Sequence, residues 1–146
     1  MTHPRCACST LAAALVFLLT EHAVQGQRAE AAKPSLSLRA TPPVGFTPLR
    51  VHLVANVRDG SDDYAEFYCA GVEWDWGDST TSENSMDCDP YEAGKSTIQR
   101  QYSADHIYRQ PGQFTITIKL KQKKKQVAAS STSVQVRAGV SDGFGQ

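Results

Sequence analysis

Two carboxylates and a histidine–tyrosine pair are the residues of this sequence best suited to chemistry. Asp75 and Asp78 lie three residues apart, a pair that could serve acid–base or metal chemistry. His106 and Tyr108 offer a metal ligand and a proton donor, but a histidine without a nearby histidine or cysteine gives weak support for a metal site. The sequence has no glycine-rich phosphate loop, no G-x-S-x-G and no H-E-x-x-H. We therefore expect no enzyme, no catalytic residues, no cofactor and no bound metal.

Charge is unevenly distributed although the net charge is zero. From Asp59 to Glu92 there are eleven acidic residues and no lysine or arginine, whereas from Lys95 to Arg137 there are nine basic residues and one acid. The acidic loop Asp59–Asp63 could bind calcium, but it does not match the spacing of an EF-hand loop, and a solvated loop is the alternative. We expect this loop to lie near a basic hairpin tip, Lys123–Lys125, so that part of the asymmetry is neutralised internally.

The lysines around that tip have two interpretations. They could bind an anionic glycan or phosphate surface, which makes Lys123, Lys124 and Lys125 a candidate binding surface. Alternatively, they and the lysines of the preceding strand could protect an exposed sheet edge from aggregation.

Polar–apolar alternation predicts an all-β chain. Strands are expected at 35–40 (an edge strand), 49–57, 68–76, 97–102, 114–120 and 127–136, and prolines interrupt the chain at 41–45. In the third strand Ala70, Val72, Trp74 and Trp76 share the core-facing side. No stretch shows helical periodicity. Six or seven short strands with turns between them are typical of an antiparallel β-sandwich.

Two motifs in this pattern closely resemble the PKD (polycystic kidney disease) repeat family. They are the strand-turn sequence Trp74-Asp75-Trp76-Gly77-Asp78, and His106-x-Tyr108-x-x-Pro111-Gly112-x-Phe114. The resemblance extends from about Pro34 to Ala138. It implies an Ig-like sandwich of about seven strands.

The resemblance also implies structural roles for the motif residues. Asp75 and Asp78 would close a turn, Trp74 and Trp76 would pack in the core, and Tyr108 would be a corner tyrosine whose hydroxyl bonds upstream backbone. Pro111-Gly112 would turn the chain into the next strand. A sugar-stacking platform is the alternative for the two tryptophans. Ser79 stands where the family usually has glycine.

The chain is expected to be exported. A basic start, Met1–Arg5, precedes an apolar run of nine residues, Leu11–Leu19, which suits a signal peptide and is too short to span a bilayer. An uncleaved anchor is the alternative. We expect a signal peptide at 1–26, with cleavage after Gly26 or Ala31, then a flexible linker at 27–34, one domain at 35–138 and a disordered tail at 139–146.

Cys69 and Cys88 would be the two cysteines of the exported chain, and an even pair favours a disulfide. If the chain reverses at Asp78-Ser79, an antiparallel hairpin brings Cys88 directly opposite Cys69. Opposed strand residues have Cα atoms about 4.5–5.5 Å apart, which is within disulfide reach. A slipped hairpin with two free thiols is the alternative.

These expectations define a secreted, non-catalytic module that binds a protein or carbohydrate at or outside the cell surface. The alternative is a structural subunit that self-associates through an edge strand. We expect no nucleic-acid partner and no membrane span after signal cleavage. A binding surface is expected around Tyr64, Phe67, Tyr91 or the lysine hairpin.

Overall fold

The computed structural model describes residues 32–139, which form two packed antiparallel sheets with one short parallel pairing. Its elements are β1 (Ser35–Thr41), β2 (Val44–Phe46), β3 (Leu49–Arg58), a single 3₁₀ turn (Ala65–Phe67), β4 (Gly71–Asp75), β5 (Thr81–Asn84), β6 (Gln101–Tyr108), β7 (Gly112–Gln122) and β8 (Lys125–Arg137). The predicted all-β, Ig-like sandwich is confirmed.

The first sheet has the order β1-β3-β6 and the second β2-β8-β7-β4-β5. The core lies between them because alternate side chains of each strand point to the other sheet. In β3 this alternation is complete from Leu49 to Val57, and in β7 the side chains of Ile116, Ile118 and Leu120 are fully buried. The burial of these branched side chains is the main favourable contribution to folding.

Two strands, β2 and β5, could not be predicted from the sequence pattern, for physical reasons. The strand β2 is three residues long and lies in the segment expected to interrupt the chain. It pairs in parallel with β8, as Val44 with Gln135 and Phe46 with Arg137. In contrast, β5 has only exposed residues, so it carries no apolar alternation although it pairs with β4.

The strand predicted at 97–102 is displaced. Ile98 is buried, but its N–H donates to the Asp62 carbonyl at 2.8 Å and not to a sheet ladder. The true strand, β6, begins at Gln101 and continues through His106 to Tyr108. The third predicted strand is also shorter than expected, because Cys69 has a φ of 54° and β4 begins only at Gly71.

Most of the terminal predictions fall outside the described residues. The signal peptide at 1–26, both cleavage positions and the tail beyond Gly139 lie there. Of the expected linker, Ala32–Pro34 are described, and Pro34 is buried beside Gly60. Among residues 32–139, no helix is long and apolar enough to cross a membrane.

Candidate functional site

The two motif carboxylates close the turn that follows β4. Asp75 Oδ1 accepts a hydrogen bond from the Gly77 N–H at 3.0 Å, and Asp78 Oδ1 accepts one from the Thr80 N–H at 3.1 Å. Two residues of the turn have left-handed backbone, Gly77 (φ 75°) and Ser79 (φ 70°). A Cβ on Gly77 would lie 2.5 Å from the Thr115 carbonyl oxygen, so only glycine fits there. These contacts give both carboxylates a structural task.

His106 is hydrogen-bonded to the same turn. Its Nε2 lies 2.7 Å from Asp78 Oδ2, and its ring stacks on Trp76 at 4.5 Å between centroids. Burial opposes ionisation of Asp78, but the hydrogen bonds from Thr80 and His106 outweigh it and lower the pKa of this carboxyl. No group of three or more possible metal ligands occurs among residues 32–139.

The motif aromatics join the two sheets. Trp74 and Trp76 stack on each other and are only 4% and 5% exposed, so neither can serve as a sugar platform. The Tyr108 hydroxyl donates to the Trp76 carbonyl oxygen at 2.8 Å, and so crosses from β6 to the end of β4 in the other sheet. Burial raises the pKa of Tyr108 well above its ordinary range, as do the charges of Asp78 and Asp75.

The acidic loop Asp59–Asp63 is paired with the guanidinium of Arg100. The Arg100 Nε and Nη2 atoms lie 2.8 and 2.6 Å from Asp62 Oδ1, while Nη1 donates to the Asp59 carbonyl at 2.6 Å. Nη2 also contacts the Gly60 carbonyl at 3.1 Å. The guanidinium therefore binds one carboxylate and two backbone carbonyls of the loop, which is an internal cation contact that neither sequence interpretation included.

The lysines have three different environments. Lys119 and Lys121 lie on β7, which is flanked by β8 and β4 and is an interior strand, so the edge-protection interpretation is wrong for them. Lys125 lies 3.6 Å from Glu66, next to the acidic loop, so the tip and the loop share one end of the sandwich. Lys123 and Lys124 are exposed and line a groove.

This groove, the disulfide groove, has a volume of about 980 Å³ and lies on the outer face of the second sheet. Its floor consists of Gly71 and Glu73 of β4 together with Lys121 of β7. One wall is the segment 83–91, which includes β5 residues and the loop that follows. The other wall is the hairpin tip with Lys123 and Lys124. Gly71 has no side chain, and a Cβ there would lie 3.2 Å from the Asn84 carbonyl oxygen, so glycine lets the backbone of the wall pack closely over the floor.

A disulfide and two tyrosines fix the 83–91 wall. Cys69 and Cys88 are bonded, with Cα atoms 6.1 Å apart. The Tyr68 hydroxyl donates to the Asp89 carbonyl at 3.0 Å, and the Tyr91 hydroxyl donates to the Asp63 carbonyl at 2.6 Å. The two rings also meet edge to face at 5.5 Å. The wall is therefore held from three points although it is polar.

The disulfide exists with a different register from the one expected. Val72 pairs with Asn84 and Trp74 with Ser82, so the hairpin is slipped by one residue, and Cys69 lies outside β4. The left-handed backbone at Cys69 and the irregular chain after Asn84 bring the two cysteines together. A slipped hairpin thus coexists with the bond, contrary to the geometric argument from the sequence.

The floor carries a compact charge network. Glu73 Oε1 accepts from Lys119 Nζ at 2.7 Å, Glu73 Oε2 pairs with Lys121, and Lys121 also reaches Glu83 at 3.3 Å. The hydrogen bonds from Lys119 and Lys121 lower the pKa of Glu73 to about 2, and the hydrogen bond to Glu73 raises the pKa of Lys121. Opposite charges of the floor therefore satisfy each other.

The structure separates the residues expected to form a binding surface. Tyr91 is 38% exposed and lies in the groove with Lys123 and Lys124, whereas Phe67 is 1% exposed and belongs to the core. Tyr64 is half-buried against the core. Sequence reasoning missed Met86, which belongs to no motif or alternating strand, and Gly71, which lies on the outward face of the predicted third strand.

Comparisons with known proteins agree with this architecture. The family model for the PKD domain matches residues 35–136. Among solved structures, the PKD domain of an M14-like peptidase from Thermoplasmatales archaeon SCGC AB-540-F20 is similar with a TM-score of 0.50 and 13% identity, over 73% of this chain and 97% of that one. The CARDB domain of the PF1109 protein from Pyrococcus furiosus, in complex with di-metal ions, has a TM-score of 0.46 and 10% identity, over 74% and 90%. No curated protein matches.

The two packed sheets and the cross-sheet tyrosine define an Ig-like β-sandwich. Because the family match covers more than half of the sequence, the chain belongs to the PKD domain family. PKD domains are generally non-catalytic modules and occur in extracellular or secreted proteins. The fold by itself does not name a ligand.

Proposed function

We propose that this chain is an exported, non-catalytic binding module, and that the disulfide groove is where it binds a protein or carbohydrate partner. The observation that carries the proposal is the fixed 83–91 wall. Holding a polar loop in one conformation costs about 1–2 kcal/mol of backbone entropy per residue, and this loop buries little apolar surface in return. The disulfide and the two tyrosine hydrogen bonds offset part of that cost.

The composition of the groove supports the same proposal. Ligand sites are typically concave and combine apolar surface with a few convergent polar groups. Met86 and Tyr91, which are 36% and 38% exposed, supply the apolar surface. The polar groups come from Glu83, Asn84 and the lysines of the opposite wall. Preorganised walls reduce the ordering cost of binding.

A groove-blocking variant tests this proposal. Met86→Arg places a long charged side chain on the wall without altering the core, and Ser133→Arg is the matched control on an exposed position of β8 outside the groove. Both variants and the parent protein would be screened against arrayed glycans and purified extracellular proteins. We expect a ligand that Met86→Arg loses and Ser133→Arg retains. Ligands that bind all three proteins equally would place the site elsewhere.

One observation favours a second candidate function, self-association through β6. Within the described part of the chain, residues 32–139, this strand pairs only with β3. The Val57 N–H donates to the Arg100 carbonyl at 2.8 Å, so in the antiparallel register the even-numbered residues of β6 bond to β3. The backbone groups of Ser103, Asp105 and Ile107 then face the open edge, where another strand could pair.

The β6 edge is tested by light scattering of the purified protein over a range of concentrations. Ser103→Pro removes an N–H that does not serve the β3 ladder, so the variant should fold and lose any dimer. A parent protein that stays monomeric at all concentrations rejects this second candidate without affecting the groove proposal.

A further inference from the structure

The backbone groups of the groove floor are already hydrogen-bonded within the sheet. The strand β4 pairs with β5 on one side and β7 on the other, so its N–H and C=O groups are directed along the sheet and not into the groove. An extended peptide that binds by strand addition needs free backbone groups at a sheet edge. Among the described strands of the groove, strand addition is therefore possible only at the outer edge of β5, and a ligand that lies on the floor is recognised through ring contacts and side-chain hydrogen bonds.

The 83–91 wall presents surfaces that suit ring faces. Met86, Pro90 and Tyr91 all line the groove and lie within one six-residue stretch of the wall, and the Tyr91 hydroxyl donates to the Asp63 carbonyl, which restrains its ring. A rigid aromatic side chain and a polarisable thioether on the same wall can each contact flat C–H surfaces at low entropic cost. A pyranose ring has such a surface on one face and hydroxyl groups around its rim.

The opposite wall carries cations that the floor does not neutralise. Within residues 32–139, Glu73 forms ion pairs with Lys119 and Lys121, and Lys125 forms an ion pair with Glu66. Neither Lys123 nor Lys124 forms an ion pair with a described residue, and both line the groove. The acidic residues Glu83 and Asp89 lie on the other wall, so the charge of the groove is divided between an acidic wall and a lysine wall. An anionic group on the ligand would therefore meet the lysine wall.

We propose that the ligand of the disulfide groove is an acidic polysaccharide whose uronate carboxylates contact Lys123 and Lys124 while its ring faces lie on Met86 and Tyr91. This inference rests on the proposed function and deepens it, since it names the ligand class of the same groove. Uronate polymers come from several sources, so oligogalacturonate, oligoalginate and hyaluronan oligosaccharides serve as separate probes.

Isothermal titration calorimetry of the purified full chain tests the inference. Oligogalacturonate is compared with its methyl ester, which keeps the rings and removes the charge. Ion pairs of exposed lysines contribute weakly, so Lys123→Ala/Lys124→Ala should weaken the association with the acid about fivefold. Lys125→Ala is the matched control: it removes the same charge from the same tip, but from a side chain directed at Glu66. It should leave binding unchanged, and added salt should weaken binding of the acid only.

The outcomes separate this inference from the proposal beneath it. Equal binding of the acid and its ester, blocked by Met86→Arg but not by the lysine variant, overturns the acidic ligand and keeps the groove as a saccharide site. Tighter binding of an oligoglutamate peptide than of any uronate probe overturns the saccharide class and leaves a groove for acidic peptides. If no uronate probe binds, the inference fails, and the groove itself is then judged by the Met86→Arg screen.

Discussion

The hydroxyl of Tyr108 donates to the carbonyl oxygen of Trp76 at 2.8 Å, and this bond fastens the last residue of β6 to the chain leaving β4. Tyr108→Phe keeps the ring that stacks on Phe114 at 4.3 Å and removes only the donor. Because a buried carbonyl then lacks its partner, we expect a loss of about 1–3 kcal/mol in the free energy of unfolding, measured by urea denaturation. A loss below about 0.5 kcal/mol, the usual range of surface changes, would mean that water replaces the hydroxyl.

Trp74 is the core tryptophan of the motif, 4% exposed and stacked on Trp76 at 5.7 Å. Trp74→Ala should lower the free energy of unfolding by about 3–5 kcal/mol through lost burial and the cavity left behind. Thermal and urea denaturation measure this directly. A variant that kept its melting temperature but lost a bound partner would contradict the core assignment.

How much the sequence predicts depends on how local each feature is. The strand β3 was readable because its burial alternates residue by residue, and the Asp75 turn because its hydrogen bonds reach only two residues along the chain. Phe67 was misjudged because it lies in an acidic segment, yet one 3₁₀ turn inserts it into the core.

The groove could not be predicted for a related reason. Its floor and walls come from segments around positions 71, 86 and 123, and the backbone at Asn84 packs closely over Gly71. No local pattern encodes such a surface. The pairing of the acidic loop with Arg100 could not be predicted either, since Arg100 lies 38 residues after Asp62.

Stability should fall in acid because two carboxyls have lowered pKa values in the folded protein. A lowered folded-state pKa gives stability that is fully present above the unfolded pKa, about 4, and is lost as the pH falls through the folded value. Asp78 and Glu73 both follow this sign, and for Glu73 the window runs from 4.5 to about 2. Urea denaturation at successive pH values should show it.

Asp78→Asn and Glu73→Gln should each flatten that dependence, because neither side chain can then titrate. Asp78 lies at the motif turn and Glu73 on the groove floor, so their contributions should be separable and nearly additive. An unchanged slope in both variants would assign acid sensitivity to other carboxyls.

The Cys69–Cys88 bond closes a loop with a sequence separation of 19 residues. Chain-entropy arguments give about 3 kcal/mol for a loop of this size, so Cys69→Ala/Cys88→Ala should lose about that much of the free energy of unfolding. Reductant should destabilise the parent protein similarly and leave the double variant unaffected. Two alkylatable thiols in the unreduced protein, seen by intact mass, would rule out the bond.

Ser79 stands where the usual family motif has glycine, and its φ of 70° shows the consequence. A left-handed conformation costs a non-glycine residue about 1–2 kcal/mol, and glycine avoids this cost but loses about 0.5–1 kcal/mol more chain entropy on folding. Ser79→Gly should therefore raise the free energy of unfolding by about 0.5–1 kcal/mol. The side chain is exposed, so Ser79→Ala, which keeps the backbone cost, is the matched control and should give no gain. Stabilisation by alanine as well as glycine would show that the serine hydroxyl, and not the backbone, is unfavourable in this turn.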